Sequence, residues 1–289
     1  MHWTERRERF RTQISGNSCV HPGSVYDPIS ARIAEDLGFE VGMFAGSVGS
    51  LAVLGAPDLI TLTLTEFAAQ AYRICRAGNL ALLVDADHGY GNALNVKRTV
   101  EELETAGVAA LTIEDTELPQ PYGDLGNTRL IPIDEGVGKM RAALEGRQDA
   151  SLVIAGRTSA LAVNGVEDAI ARAKAYEAAG VDAVFIVGVR EKAQLEALAA
   201  EISIPLFLGG VPADLLDRDY LASQGVRICL QGHHPIMAGI RAVHDTLKAL
   251  REGTPPSEIK SVAPPDLMKQ VTRDADHKRW MESFLGGGG

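Results

Sequence analysis

The chain has 289 residues, 46% hydrophobic and 23% charged, an ordinary globular composition with enough length for a substantial core. Its 28 basic and 38 acidic residues leave a formal charge of −10, which argues against nucleic-acid binding; Arg6-Arg7-Glu8-Arg9 is short, broken by an acid, and predicts a solvated N-terminal helix. Three scattered cysteines (Cys19, Cys75, Cys229) without CxxC spacing fit a reducing cytoplasm, and neither a signal-peptide core nor an apolar run of about 18 residues is present to enter a membrane.

Along the chain, short apolar runs alternate with longer amphipathic stretches. A weak strand is expected at 18–21, followed by strands at 41–45, 80–84, 109–113, 151–155, 182–187, 204–208 and 226–230. Helical patterns lie between them at 28–37, 64–77, 96–106, 133–144, 166–179, 191–202, 213–224 and 235–250. Ala106-Gly107 and Ala179-Gly180 read as helix stops just before the next strand. Eight strand–helix units in about 235 residues predict an α/β fold of the (β/α)8 type. A doubly wound open sheet is the competing architecture, weakened because no Gly-rich nucleotide fingerprint follows the first strand.

The chain is read as one barrel domain over 1–289, with 255–289 a C-terminal extension. Pro255-Pro256 and Pro264-Pro265 interrupt any helix, and 267–284 then reads as one amphipathic helix anchored by Trp280 and Phe284. An apolar helix beyond a finished barrel calls for a surface to cover, such as a neighbouring subunit's. The closing Gly286-Gly287-Gly288-Gly289 reads as a flexible tail without function.

Chemistry is expected at the carboxyl ends of the strands, which carry Ser47, Asp85, Asp87, Glu114, Asp115, Arg157 and His233. Taken singly, each has a plain explanation: an N-cap aspartate, a salt-bridge arginine, a histidine at a helix start. Their convergence from five strands is the stronger signal. Strand alternation puts Asp85 and Asp87 on one face, where two anions call for a cation, and hard oxygen ligands suit Mg2+. Alternation also puts Glu114 and Asp115 on opposite faces, so only one can reach the metal, and it does not choose between them.

Asp85-Ala86-Asp87-His88-Gly89-Tyr90-Gly91, with Ile113-Glu114-Asp115 and Gly156-Arg157-Thr158, resembles the isocitrate lyase/phosphoenolpyruvate mutase superfamily over about 27–250. Within it, Ser24 to Arg32, Gly46-Ser47-Val48, Gly91 to Val96 and Glu135 to Lys139 are similar to the bacterial oxaloacetate decarboxylase group. The resemblance implies a barrel whose last helix is exchanged between subunits, a homotetramer built as a dimer of such dimers, and a small-molecule 2-oxo acid substrate. It maps Mg2+ (with Mn2+ as a substitute) onto Asp85, Asp87 and Glu114, and substrate contacts onto Gly46, Ser47, Arg157 and His233, with Arg157 and His233 in catalytic roles. It implies Mg2+-dependent decarboxylation of oxaloacetate to pyruvate and CO2.

Three departures stand out, one of them Ser159 after Arg157-Thr158, where relatives carry Asn or Asp. The loop from Thr116 to Asp124 has no cysteine, which speaks against isocitrate and methylisocitrate cleavage, and Leu208-Gly209-Gly210-Val211-Pro212 lacks the tyrosine the decarboxylases carry after strand seven. Phosphonopyruvate-type mutase or hydrolase chemistry and cleavage of a substituted malate are the alternatives within the superfamily, to be decided by 57–65 and 116–130. A non-catalytic barrel that binds a dicarboxylate is the alternative outside enzymology.

Overall fold

In the structure, a computed structural model describing residues 3–123 and 126–286, a helix α1 (Trp3–Ser15) precedes a run of strand–helix units. The strands are β1 (Gly23–Ser24), β2 (Val41–Phe44), β3 (Ala81–Asp85), β4 (Ala110–Glu114), β5 (Val153–Thr158), β6 (Ala183–Ile186), β7 (Leu206–Leu208) and β8 (Val226–Cys229). All neighbours are parallel and follow chain order, as each strand crosses over through a helix to the next. An isolated parallel bridge between Val20 and Ile228 links the chain just before β1 to β8, so the sheet curls into a TIM-like barrel. This bridge is what the weak 18–21 signal amounts to; the paired strand lies a few residues later. Nearly every strand residue is buried, because barrel filling covers one face and helices the other.

The outer elements are α2 (Pro28–Asp36), α3 (Gly46–Gly49), α4 (Leu64–Cys75), α5 (Ala93–Thr105), α6 (Ile133–Gly146), α7 (Ala160–Val163), α8 (Val166–Ala179), α9 (Lys192–Glu201) and α10 (Arg218–Ser223). Local chemistry sets their starts. Asp27 and Ser30, Thr63 and Glu66, and Asn92 and Asn95 form reciprocal capping boxes. The Asn92 cap starts α5 three residues before the predicted 96, a polar signal that an apolar-periodicity reading passes over. Gly107 and Gly180 take φ of 92° and 100° at the expected stops. The predicted helix 213–224 is broken: a 3-10 turn (Ala213–Leu215) is followed by α10, because Asp217 caps a fresh start by accepting from the Asp219 and Tyr220 amides.

The expectation of a solvated N-terminal helix is corrected for two of its arginines. Arg6 and Arg7 are only 2% and 4% exposed. Arg6 donates to the Cys75 carbonyl, and Arg7 to the Val108 and Glu104 carbonyls and to Asp149. Phe10 meets Phe207 edge to face at 6.2 Å. The polar partners sit at helix ends or just before strands, so α1 covers the amino-terminal end of the barrel and its guanidiniums satisfy carbonyls left over at helix C-termini.

The chain divides into two compact units, Met1–His233 and His234–Gly289. The second holds α11 (His234–Arg251), α12 (Pro265–Thr272) and α13 (Asp274–Leu285). The single helix predicted over 267–284 is therefore two, broken at Arg273, whose φ of 59° is left-handed. Gly287 to Gly289 of the predicted tail lie outside the described residues. No helix among the described residues is long and apolar enough to cross a membrane.

Candidate active site

At the carboxyl end of the barrel the strands open into a cavity of about 480 Å3. Of the predicted residues, Ser47, Asp85, Asp87, Glu114, Arg157 and His233 line it. Asp85 and Glu114 are the last residues of β3 and β4, Arg157 is the penultimate residue of β5, and His233 follows β8. Both acids are buried, at 8% and 5% exposure. The choice that alternation left open is resolved by packing: Glu114 faces the cavity, whereas Asp115 is fully buried on the other side against Arg172 and Tyr176 of α8.

Asp87 reaches the cavity by another route than strand alternation. β3 ends at Asp85, and Asp87 has a left-handed φ of 47°. Its amide donates to Asp85 Oδ1 at 3.2 Å while its carbonyl accepts from the Glu114 amide at 2.8 Å, so the turn is tied to β4. Thr112 Oγ1 donates to the same Asp85 oxygen at 3.0 Å, and the buried Lys139 of α6 donates to the His88 carbonyl at 2.9 Å. Gly46, expected to offer its backbone to substrate, is buried and serves first as space: a Cβ there would stand 2.4 Å from Asp87 Oδ1. His233 is oriented by its Nδ1, 2.9 Å from Ser24 Oγ.

Charge in the cavity is unbalanced. Arg157 bridges Asp85, through Nη1, and Glu114, with Nε 3.1 Å from the carboxylate, and its guanidinium packs 5.5 Å over the Phe185 ring. Burial alone would lower the pKa of Arg157, but Asp85 and Glu114 outweigh it and the group stays charged. Burial, together with Asp85, Glu114 and Asp58, pushes Asp87 well above the ordinary carboxylate range. Glu114 is also raised by burial, against the lowering effect of Arg157. Asp58, not singled out individually from the sequence, lines the cavity and is raised by burial and by Asp85. Phe185 and Lys139 likewise escaped attention as site residues: an apolar strand residue and a helix lysine carry no local mark of what they touch.

The three carboxylates assigned to a metal are not gathered into a ready-made cluster. Among the described residues no group of three or more His, Cys, Asp or Glu side chains is spaced to hold an ion. They are arranged around a guanidinium instead, because in its absence these anions would face one another. Even so, four cavity carboxylates stand against that one arginine, and three of them, Asp58, Asp87 and Glu114, are raised toward protonation. An all-oxygen, under-neutralised donor set of this kind fits a hard divalent cation.

The sequence profile of phosphoenolpyruvate phosphomutase matches residues 14–251. The chain belongs to this family. Among curated proteins the family member is 59% identical over 286 residues, 99% of each chain, to an oxaloacetate decarboxylase of Bradyrhizobium diazoefficiens, and equally similar to one of Rhodopseudomonas palustris. Among solved structures, an oxaloacetate acetylhydrolase in complex with 3,3-difluorooxalacetate is 27% identical with a TM-score of 0.86, over 99% of this chain and 98% of that one. A phosphonopyruvate hydrolase in complex with oxalate and Mg2+ is also 27% identical, with a TM-score of 0.83 over 97% and 99% of the two chains.

Proposed function

We propose that this protein is a carboxy-lyase that decarboxylates oxaloacetate, or a close 2-oxo dicarboxylate, to pyruvate and CO2. The observation that carries the reading is the 59% identity, over 99% of both chains, to proteins named oxaloacetate decarboxylase. Asp85, Asp87 and Glu114 are assigned to hold Mg2+, with Mn2+ as a substitute; the surplus of cavity carboxylates over guanidinium supports this. When bound, the cation supplies Lewis acidity at the keto oxygen.

The chain's own groups answer the remaining demands. Breaking the C3–C4 bond leaves an electron pair shared between C3 and the keto oxygen, so negative charge has to be met where it develops. Arg157, permanently charged and planar, suits that task and can release Asp85 or Glu114 as it turns to substrate. Ser47 offers a hydroxyl to the C1 carboxylate from the same cavity. His233, with its ring set by Ser24, is assigned to contact the departing carboxylate and to return a proton to C3.

The same reading extends to assembly in a reducing cytoplasm as a homotetramer of helix-swapped dimers. Met237, Ile240, Val243 and Leu247 support it, a helically spaced apolar row on α11 that is 54–62% exposed in the single chain. Three free, buried cysteines agree with the compartment.

The test is pyruvate release from oxaloacetate with Mg2+, against Mg2+ without protein and protein with chelator, beside a panel of phosphonopyruvate and alkylmalates. Asp85→Ala is expected to abolish the metal-dependent turnover. Turnover of a panel compound but not of oxaloacetate would refute the assignment, and so would full activity of Asp85→Ala.

A further inference from the structure

Outside the cavity, a buried polar group is built round Arg172 on α8. Its Nη1 donates to Asp115 Oδ2 at 3.0 Å and to the Ile131 carbonyl at 2.9 Å, and its Nε donates to Asp168 Oδ2 at 2.9 Å. Tyr176, one helical turn on, donates its hydroxyl to the same Asp115 oxygen at 2.6 Å. The side chains of Arg172 and Asp115 are 7% and 0% exposed. Asp115 immediately precedes segment 116–130, and Ile131 immediately follows it. The two ends are closed on each other: the Ile131 amide donates to the Asp115 carbonyl at 2.9 Å, the Glu117 amide to the Arg129 carbonyl at 2.9 Å, and Thr116 bridges Leu130 in antiparallel fashion. Beyond this neck the segment brings Leu118, Pro119 and Gln120 to the cavity.

We propose that Arg172 is a positioning residue that pins both ends of segment 116–130 to α8 and so sets Glu114 and the Leu118–Gln120 wall against the substrate. Asp115 and Glu114 are adjacent and face opposite ways, so drawing Asp115 outward turns Glu114 toward Arg157. The Asp115 amide, donating to the Arg157 carbonyl at 3.2 Å, carries the restraint to β5. Oδ1 of Asp115 has no hydrogen-bond partner among the described residues, which leaves the anion dependent on the oxygen that Arg172 and Tyr176 share. Only a forked guanidinium can reach Asp115, Ile131 and Asp168 together; an ammonium is a point donor.

The test compares Arg172→Met and Arg172→Lys with Arg7→Met, a buried arginine at the far end of the barrel. The kinetic readout rests on the decarboxylase reading, whereas proteolysis does not: Tyr122 is fully exposed and Arg129 lies in the same segment, so chymotrypsin and trypsin report on it directly. In Arg172→Met, native-state cleavage in 116–130 is expected to quicken about tenfold or more, with kcat/KM about 100-fold lower well below Tm. Arg172→Lys is expected to fall between it and the parent protein. Arg7→Met is expected to lower Tm and leave both readouts alone. Parental cleavage and parental kcat/KM in a folded Arg172→Lys overturn the proposal, even if Arg172→Met fails to fold. Equal acceleration in Arg7→Met overturns it too, since global stability would then be the cause. If the parent protein releases no pyruvate, the decarboxylase reading fails and cleavage alone decides the role of Arg172.

Discussion

Replacing Gly46 by alanine separates the site from the fold more cleanly than removing a charge. The added Cβ would lie 2.4, 2.6 and 2.8 Å from Oδ1, Oδ2 and Cγ of Asp87, where ordinary contact begins near 3.4 Å. Asp87 Oδ1 must therefore retreat by the difference between 3.4 and 2.4, or 1.0 Å, and Oδ2 by 0.8 Å. The backbone of Asp87 is tied to Glu114 at 2.8 Å, so the carboxylate does the moving. Misplacement of about 1 Å at a reacting centre costs on the order of 100-fold, or roughly 2.7 kcal/mol of barrier. Gly46 opens α3 without a left-handed φ, so alanine can adopt its backbone conformation and the strain falls on the Asp87 carboxylate. The expected result for Gly46→Ala is a kcat/KM for oxaloacetate about 100-fold lower, a Mg2+ half-saturation roughly tenfold higher, and a Tm within about 4 °C of the parent. Steady-state kinetics across a Mg2+ titration, beside thermal unfolding, make the measurement. Activity and metal requirement within about twofold of the parent would refute the crowding argument, since a displaced Asp87 cannot leave both unchanged.

Arg157→Ala is expected to cost about 2–4 kcal/mol of transition-state stabilisation, roughly 30- to 900-fold in kcat/KM, while Mg2+ still binds because three neighbouring carboxylates lose their competing cation; a near-parental kcat/KM would make this arginine purely structural. Lys139→Met keeps the stem and deletes the donor to the His88 carbonyl, so unfolding by urea should show a loss of about 1.5–3 kcal/mol with a lower kcat, and an unchanged protein would show that the Asp85–Gly91 turn does not need it. Burial alone would raise the pKa of Asp149, but hydrogen bonds from Ser151, Arg7 and Thr4 outweigh it and hold the group below the usual carboxylate range. A depressed folded pKa means its stabilisation is complete above the unfolded value of about 3.9 and is lost as pH falls below it. The stability gap between the parent and Asp149→Asn should accordingly be constant near neutrality and shrink below about pH 4; a gap that stays constant down to pH 3 would contradict the assignment.

Much of this architecture was open to a reader of the chain. Seven strands appear within a few residues of their predicted places, since a strand buried on both faces is a short apolar run that few other elements imitate. The strand-end chemistry was visible as a convergence, because acids, an arginine and a histidine closing several strands point to one cavity although each alone reads as a cap or an ion pair, as Asp115 in fact is. What escaped were features that depend on a distant partner. Arg6 and Arg7 look like surface charges until helix C-terminal carbonyls are brought to them. Phe185 looks like any core residue until Arg157 lies over it. Arg273 gives no local warning that it ends one helix and begins another.

Amino-acid order alone determined the succession of strands and helices, and the presence of acids, an arginine and a histidine at the strand ends, because periodicity and turn chemistry act over a few residues. The folded arrangement decided which of two adjacent acids, Glu114 or Asp115, enters the cavity, and it set Arg157 between Asp85 and Glu114. It also gave Gly46 its meaning as room for Asp87. Side-chain direction at a strand end is settled by which neighbour can neutralise a buried charge, and that neighbour lies tens of residues away in the chain.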